Sequence, residues 1–444
     1  MHPFRTEIGP MTRLAVPIVL AELGWMTMSL ADTVMVGRVG AAAMGAVGLG
    51  ASLFYTVAIF GTGLLLGLDT TVSQAFGAGD RDECRRSLMA GLWLILPLAP
   101  LLVGMTWLFV PLVRLFGVQP AVLKNTVPYL FAISWSAIPL LVFFALRRYL
   151  QSMNLVRVVM FALISANLVN IAVNWILIFG HFGAPALGAE GAGWATTLSR
   201  LYMALVLVVY AVVQDPALMR VRLAPDFARI RRLFALGFPA AAQFSLEVGV
   251  FAAVTALIAK LDEISLAAHQ IALLTVSFTY MVPLGISSAG AVRVGHAVGR
   301  RDAAAAGVSG WTAMALGAGF MGCAALALLC APHMLSRIFT NQAEVSAAAV
   351  PLLAVAAAFQ LFDGLQTVGT GILRGLGDTR TTMVAHIGCY WFIGLPLGSW
   401  LCFRKHWGAV GLWTGLSAAL ILIGCVALTG WIYRLRGFRR VVVN

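Results

Sequence analysis

Twelve apolar stretches, each long enough to cross a bilayer and separated by short polar turns, constrain this sequence more than anything else in it. They fall at residues 14–37, 44–68, 88–110, 128–150, 158–180, 190–213, 233–259, 264–289, 308–331, 350–373, 382–403 and 408–433. A helix needs about 20 mostly apolar residues to span the ~30 Å hydrocarbon core. Hydrocarbon offers no hydrogen bonds to the backbone, so only helices and closed barrels cross it. A barrel would show alternating segments of ~10 residues, and the long continuous runs here do not alternate. The expected fold class is all-α and integral to the membrane, with twelve transmembrane helices. Composition agrees: 61% of residues are apolar and 11% charged, against roughly 25% charged in soluble domains.

A net charge of +13 would suit nucleic acid if it were clustered on a soluble face. Assigned to alternating sides of the spans, 22 Lys and Arg fall on one side and 7 on the other, with Arg200 inside a span. That bias is the positive-inside pattern. It puts both termini in the cytoplasm, requires an even number of spans and leaves no role for nucleic acid. The chain is therefore expected to be a multi-pass protein of the cell inner membrane. Arg5 and Arg13 precede a first run long enough to span, which reads as a retained signal-anchor rather than a cleaved leader. Six cysteines show no paired spacing suited to zinc or redox chemistry, and no cofactor is expected.

The sequence repeats itself at about half its length. VSQAFGAGDRDECRRS from Val72 faces VRVGHAVGRRDAAAAG from Val292, LRRYL from Leu146 faces LRGLG from Leu373, and GAGWATTLS from Gly191 faces GAVGLWTGLS from Gly408. Six spans per half is an even number, so the halves run in the same direction, as parallel repeats about an axis along the membrane normal. This predicts an N-lobe over 1–213, a cytoplasmic linker over 214–232 with five arginines, and a C-lobe over 233–444. Two such six-helix bundles commonly carry their site near mid-membrane.

An ionisable side chain inside a bilayer costs at least ~2.5 kcal/mol on insertion scales, so each needs a reason. Asp32, Asn174 and Thr196 lie five or six residues from the outer ends of spans 1, 5 and 6, and Asn170 lies one turn deeper on the face of Asn174. These four can surround one cation with oxygen, or simply hydrogen-bond between helices. In the second half, Glu247 and Asp363 sit twelve and thirteen residues from the outer ends of spans 7 and 10. Two carboxylates at one depth repel each other unless they share a proton or hold a cation. No Lys or Arg is available in the second-half spans to neutralise them, so Na⁺ is a candidate metal at either cluster.

Other polar residues are expected to be structural. Glu22 is expected to pair with Arg200, Asp69 to be solvated at a helix end, and His269, His296 and His386 to pack or hydrogen-bond. Gly63 with Gly67, and Gly371 with Gly375, have the small-xxx-small spacing that brings helices close. GTGILRGLGDT from Gly369 follows no strand and is not a phosphate loop.

Four segments carry a family resemblance: LADTVMVGRVG from Leu30, SQAFGAGD from Ser73, AAHQI from Ala267 and FDGLQTVGTGILRGLGDT from Phe362. Together they resemble the multidrug and toxic compound extrusion family, over nearly the whole chain, and most closely its NorM-like branch, because of Glu247 and of Asp363 within FDG. The resemblance implies export of lipophilic, often cationic drugs in exchange for inward Na⁺ or H⁺. It implies a cation site at Asp32, Asn170, Asn174 and Thr196, coupling roles for Glu247 and Asp363, and a helix-1 bend at Pro17. One departure is Asn174, where some relatives carry Asp, which lowers the local negative charge. Trp25, Met26, Met28, Phe244, Phe278, Tyr280, Met281 and Phe359 lie near the expected cavity levels, where Met and aromatic rings give an adaptable apolar lining. The expected partners are small lipophilic cations and the lipid bilayer, and the expected state is a monomer. The alternative reading is a lipid-linked saccharide flippase of the same broad superfamily, which commonly has about fourteen spans and an arginine-lined cavity. A channel filter and a converging catalytic set are both lacking in the sequence, so an enzyme is not expected.

Overall fold

The computed structural model of the protein describes residues 3–115, 120–221 and 224–443, and all regular structure among them is helical. The linker arginine Arg222 lies outside the described residues. Eleven helices are long and apolar enough to cross a membrane, and twelve spans result when the bent pair α5 (Pro120–Ser134) and α6 (Ala137–Ser152) counts as one. In chain order the others begin with α1 (Pro3–Gly37), α2 (Ala41–Leu64), α3 (Gly67–Gly77) and α4 (Arg81–Leu115). After the bent pair come α7 (Val156–Phe179), α8 (Ala189–Gln214), α9 (Phe227–Ile258), α10 (Glu263–Gly299) and α11 (Ala303–Cys330). A short α12 (Pro332–Phe339) precedes α13 (Ala343–Leu376), and α14 (Arg380–His386) runs on through two π-helical segments to Arg404. The chain ends in α16 (Gly408–Val443), after the five-residue α15 (Leu395–Ser399).

Packing divides the chain into two compact units, Leu20–Ala241, and Met1–Val19 with Ala242–Asn444. The boundaries of these units fall inside α1 and α9. In both helices a proline stands just before the change, Pro17 in α1 and Pro239 in α9. A helix-interior proline removes one backbone hydrogen bond and crowds the preceding turn, which frees the helix to follow different neighbours on either side.

Small residues seat the transferred helix halves. In the first unit, a Cβ on Gly63 would meet Ala241 Cα at 2.7 Å, and one on Gly67 would meet the Leu233 carbonyl oxygen at 2.7 Å, so the early turns of α9 lie against the α2–α3 junction. In the second, a Cβ on Gly285 of α10 would meet Val19 N at 2.9 Å. Gly375 approaches the Ala291 carbonyl, where a Cβ would sit 2.5 Å away, and Gly371 is as tightly placed against Ser287. The four glycines expected to draw helices together therefore do so.

Ion pairs fix the same two helix starts. Glu7 of α1 accepts from Arg293 Nε at 2.7 Å and Nη2 at 2.5 Å, and from Ser309 Oγ at 2.7 Å. In the other unit Arg229 of α9 donates to Glu83 of α4 from Nη2 at 2.7 Å and also pairs with Asp226.

The imperfect repeat has a local explanation. Gly79, two residues past the end of α3, has φ +79°, and the Asp80 carboxylate accepts from Glu83 N at 2.8 Å to cap α4. In the second half Arg301, likewise two residues past its helix end and so two residues beyond the register of Val72 with Val292, has φ +57°, and Asp302 accepts from Ala305 N at 2.8 Å to cap α11. The RGLGDT run is a third such stop and start. Gly377 has φ +90° and Asp378 accepts from Thr381 N at 3.1 Å and Oγ1 at 2.7 Å, and from Arg434 Nε at 2.6 Å. Burial pushes the Asp378 carboxyl up, but these hydrogen bonds and the Arg434 charge outweigh it and hold it below the usual carboxylate value.

Left-handed backbone costs a residue with a Cβ roughly 1–2 kcal/mol, and glycine avoids that cost. Arg301→Gly, which restores the residue found at the matching place in the first half, is therefore expected to raise the thermal unfolding temperature of the detergent-purified protein. A fall of the midpoint would mean that the Arg301 side chain contributes more than its backbone strain costs.

Two buried polar clusters as the candidate functional site

Among the described residues, each unit contains a cluster of polar side chains around carboxylate that forms no ion pair with Lys or Arg. In the first unit Asp32 of α1 accepts from Asn174 Nδ2 at 2.5 Å and from Thr196 Oγ1 at 3.0 Å, while Asn174 Nδ2 also reaches Asn170 Oδ1 at 3.0 Å. Asn170 and Asn174 are fully buried and Thr196 nearly so. Helical spacing explains the pairing of the two asparagines, since residues four apart on α7 share a face. Asn170 Nδ2 and Asn174 Oδ1 find no hydrogen-bond partner, although buried polar atoms are normally satisfied. The four residues singled out by depth thus form one set of oxygen atoms with capacity to spare.

In the second unit Gln366 of α13 ties the two carboxylates together. Its Nε2 donates to Asp363 Oδ1 at 3.2 Å, to Glu247 Oε1 at 3.4 Å and to Thr367 Oγ1 at 3.1 Å. Glu247 Oε2 lies 3.7 Å from His386 Nε2 and has no hydrogen-bond partner. His386 Nδ1 sits 2.7 Å from the Thr382 carbonyl and must donate to it, which leaves Nε2 of the neutral ring as an acceptor, 3.4 Å from Gln243 Nε2. All five of Gln243, Glu247, Asp363, Gln366 and His386 are buried.

His386 hydrogen-bonds, as expected, and does so beside Glu247. Gln366 and Gln243 were not singled out at all. Their signal was spacing, since Gln366 is one turn from Asp363 and Gln243 one turn from Glu247 on the same faces. His269, by contrast, is a satisfied core residue, bonded to Thr255 Oγ1 at 2.8 Å and Trp413 Nε1 at 3.0 Å.

The expected Glu22–Arg200 pair does not form. Glu22 pairs with Arg147, both buried. Arg200 instead donates to Ser136 Oγ and to Tyr55 OH at 2.6 Å, and its guanidinium lies over Phe54 at 5.1 Å and Trp25 at 5.9 Å. Asp69 is not solvated: it is 1% exposed and 3.5 Å from Arg148. After the break at Leu65–Leu66 the span continues as α3 to Gly77, so Asp69, in the first turn of α3, is buried short of the end of the span rather than at it.

Among the proposed lining residues, Met28 and Phe359 are core residues, 5% and 1% exposed, and Phe359 stacks on Trp413 at 6.1 Å. Trp25 packs on Phe143 and Phe144. Met26, Phe244, Tyr280 and Met281 are part-buried, and Phe278 is 57% exposed. The described residues hold no group of three or more His, Cys, Asp or Glu suited to a metal such as zinc; both clusters offer oxygen from carboxylate, amide and hydroxyl, which suits a hard monovalent cation or a proton.

A polytopic helical bundle with polar clusters inside its spans is the form of a membrane transporter. The MatE family matches residues 17–176 and 239–400, one segment in each half. A probable multidrug resistance protein NorM of Bradyrhizobium diazoefficiens is 38% identical, over 91% of this chain and 89% of that protein. Another from Mesorhizobium japonicum is 35% identical, over 97% and 95%. The eukaryotic MATE transporter AtDTX14 has the same fold, with a TM-score of 0.88 at 20% identity over 99% of this chain and all of that one. The chain belongs to the MatE family and is NorM-like.

Breaking a buried ion pair from one side leaves a charge without a partner and costs about 3–5 kcal/mol. Glu22→Gln is expected to lower the unfolding temperature sharply, and Glu22→Leu combined with Arg147→Met to recover most of the loss. If the double variant is no more stable than the single, Arg147 has a second partner and the pair is not isolated.

Proposed function

We propose that this protein is a secondary active efflux antiporter that exports lipophilic and cationic drugs in exchange for inward Na⁺ or H⁺. The observation that carries the reading is the pair of polar clusters around carboxylates, neither in an ion pair with Lys or Arg among the described residues, in a NorM-like chain. The naming of its relatives as probable multidrug resistance proteins supports the substrate class.

A cation entering the Asp32 set would meet Asp32, Asn170 and Thr196 oxygens at once. Turning the Asn174 amide over would add Oδ1, the atom now without a partner. In the second cluster a proton or Na⁺ between Glu247 and Asp363 would relieve their mutual repulsion, and Gln366 would hold both carboxylates in register. Binding drives a cycle only if the ion and the drug favour different conformations, so the clusters act by being open to one side of the membrane at a time. In this reading the chain lies in the inner membrane as a monomer with both termini in the cytoplasm, as the distribution of arginine supports.

The test is export of a fluorescent lipophilic cation from reconstituted vesicles, with a Na⁺ gradient and a pH gradient imposed separately. Transport driven by one of them identifies the coupling ion; failure of both overturns the antiporter. Glu247→Gln and Asp363→Asn are each expected to cut coupled export by at least about tenfold, equivalent to ~1.4 kcal/mol of lost stabilisation, in protein that remains folded. Unimpaired export in both would transfer coupling to the Asp32 cluster.

A further inference from the structure

Away from both clusters, the arginine-rich end of the first unit carries a cleft of about 820 Å³ between the start of α4 and the chain that follows α8. One wall is a single face of α4. Arg86, Met89, Ala90 and Trp93 all line it, at i, i+3, i+4 and i+7. The other wall includes Arg220 and Phe227.

Polarity is graded along this wall. Arg85 and Arg86 stand at the mouth, and Trp93 about 10 Å further along the helix, at 1.5 Å per residue, toward the apolar part of the span. The arginines also divide by role. Arg85 is held by Asp215 at 2.7 Å and Asp82 at 2.6 Å, and Arg229 by Glu83 and Asp226. These two build the walls. Arg86 and Arg220 are exposed and have no ion-pair partner among the described residues. Guanidinium groups match phosphate with paired N–H donors. Two uncommitted ones above an aromatic and aliphatic strip suit a ligand with an anionic head and an apolar tail.

The geometry points to a binding site for an anionic phospholipid of the adjoining leaflet, its phosphate between Arg86 and Arg220 and an acyl chain along Met89 and Trp93. A basic pocket at a helix end is the usual receptor for such headgroups, and tryptophan is favoured at that depth. The site shares no residue with the carboxylate clusters and does not depend on the transport reading.

The experiment uses the full chain in phosphatidylcholine nanodiscs doped with lipids whose acyl chains carry bromine, which quenches tryptophan on contact. The difference between wild type and Trp93→Phe isolates the Trp93 signal. Brominated phosphatidylglycerol is expected to quench it at a mole fraction about thirtyfold below that needed with brominated phosphatidylcholine, as two guanidinium contacts imply. Arg86→Gln with Arg220→Gln is expected to erase that preference, with helix content unchanged by circular dichroism. Equal quenching by the two lipids, or a preference that survives the double substitution, overturns the site. Relief of quenching by millimolar inorganic phosphate overturns the lipid assignment in favour of a soluble anion.

Discussion

Every polar group that this chain carries into hydrocarbon has to find its partner within the protein, because the solvent there offers none. The buried pairs Glu22–Arg147 and Asp69–Arg148 meet that demand with opposite charge. Arg200 meets it with hydroxyl groups and aromatic faces. The two carboxylate clusters meet it only in part, through amide and hydroxyl donors, and atoms such as Asn174 Oδ1 and Glu247 Oε2 are left over. Arg147 and Arg200 also leave a buried Nε over, but a guanidinium N–H cannot bind a cation, whereas the leftover oxygens of the clusters can.

The same contrast separates the two roles of α1 and α9. Their early turns are clamped by ion pairs to helix starts and ends, Glu7 to Arg293 and Arg229 to Glu83. Beyond Pro17 and Pro239 the same helices carry Asp32 and Glu247 into the clusters. One helix thus links a fixed anchor in one unit to a site in the other, with a proline between them, in α1 and again in α9. Glycines at Gly63, Gly67 and Gly285 make it possible, since a Cβ at any of them would collide with the transferred helix half.

The clusters were partly legible in the sequence because a carboxylate inside an apolar run is conspicuous. Asp32, Glu247 and Asp363 announce themselves in that way, and depth along each span groups Asp32 with Asn174 and Thr196. Gln366 and Gln243 were missed because a neutral amide is tolerated in many bundles and carries no comparable signal. His386 was discounted because a lone histidine has no assigned neighbour until helices are packed. The Glu22–Arg200 expectation failed for a related reason: depth puts both in the same zone, but rotation about each helix axis decides which of several arginines a carboxylate meets, and Arg147 on α6 faces Glu22.

By itself the sequence determined the all-helical membrane fold, its twelve spans and its duplication, because hydrophobic length and repeat register are one-dimensional properties. It also marked Asp32, Glu247 and Asp363 as carboxylates carried inside the spans. Only the tertiary structure decided their partners, the burial of Asp69, and the places within α1 and α9 where each helix passes from one compact unit to the other. Those depend on azimuth and close approach between helices distant in sequence, and apolar periodicity weakens as a guide to azimuth when lipid and protein interior are both apolar.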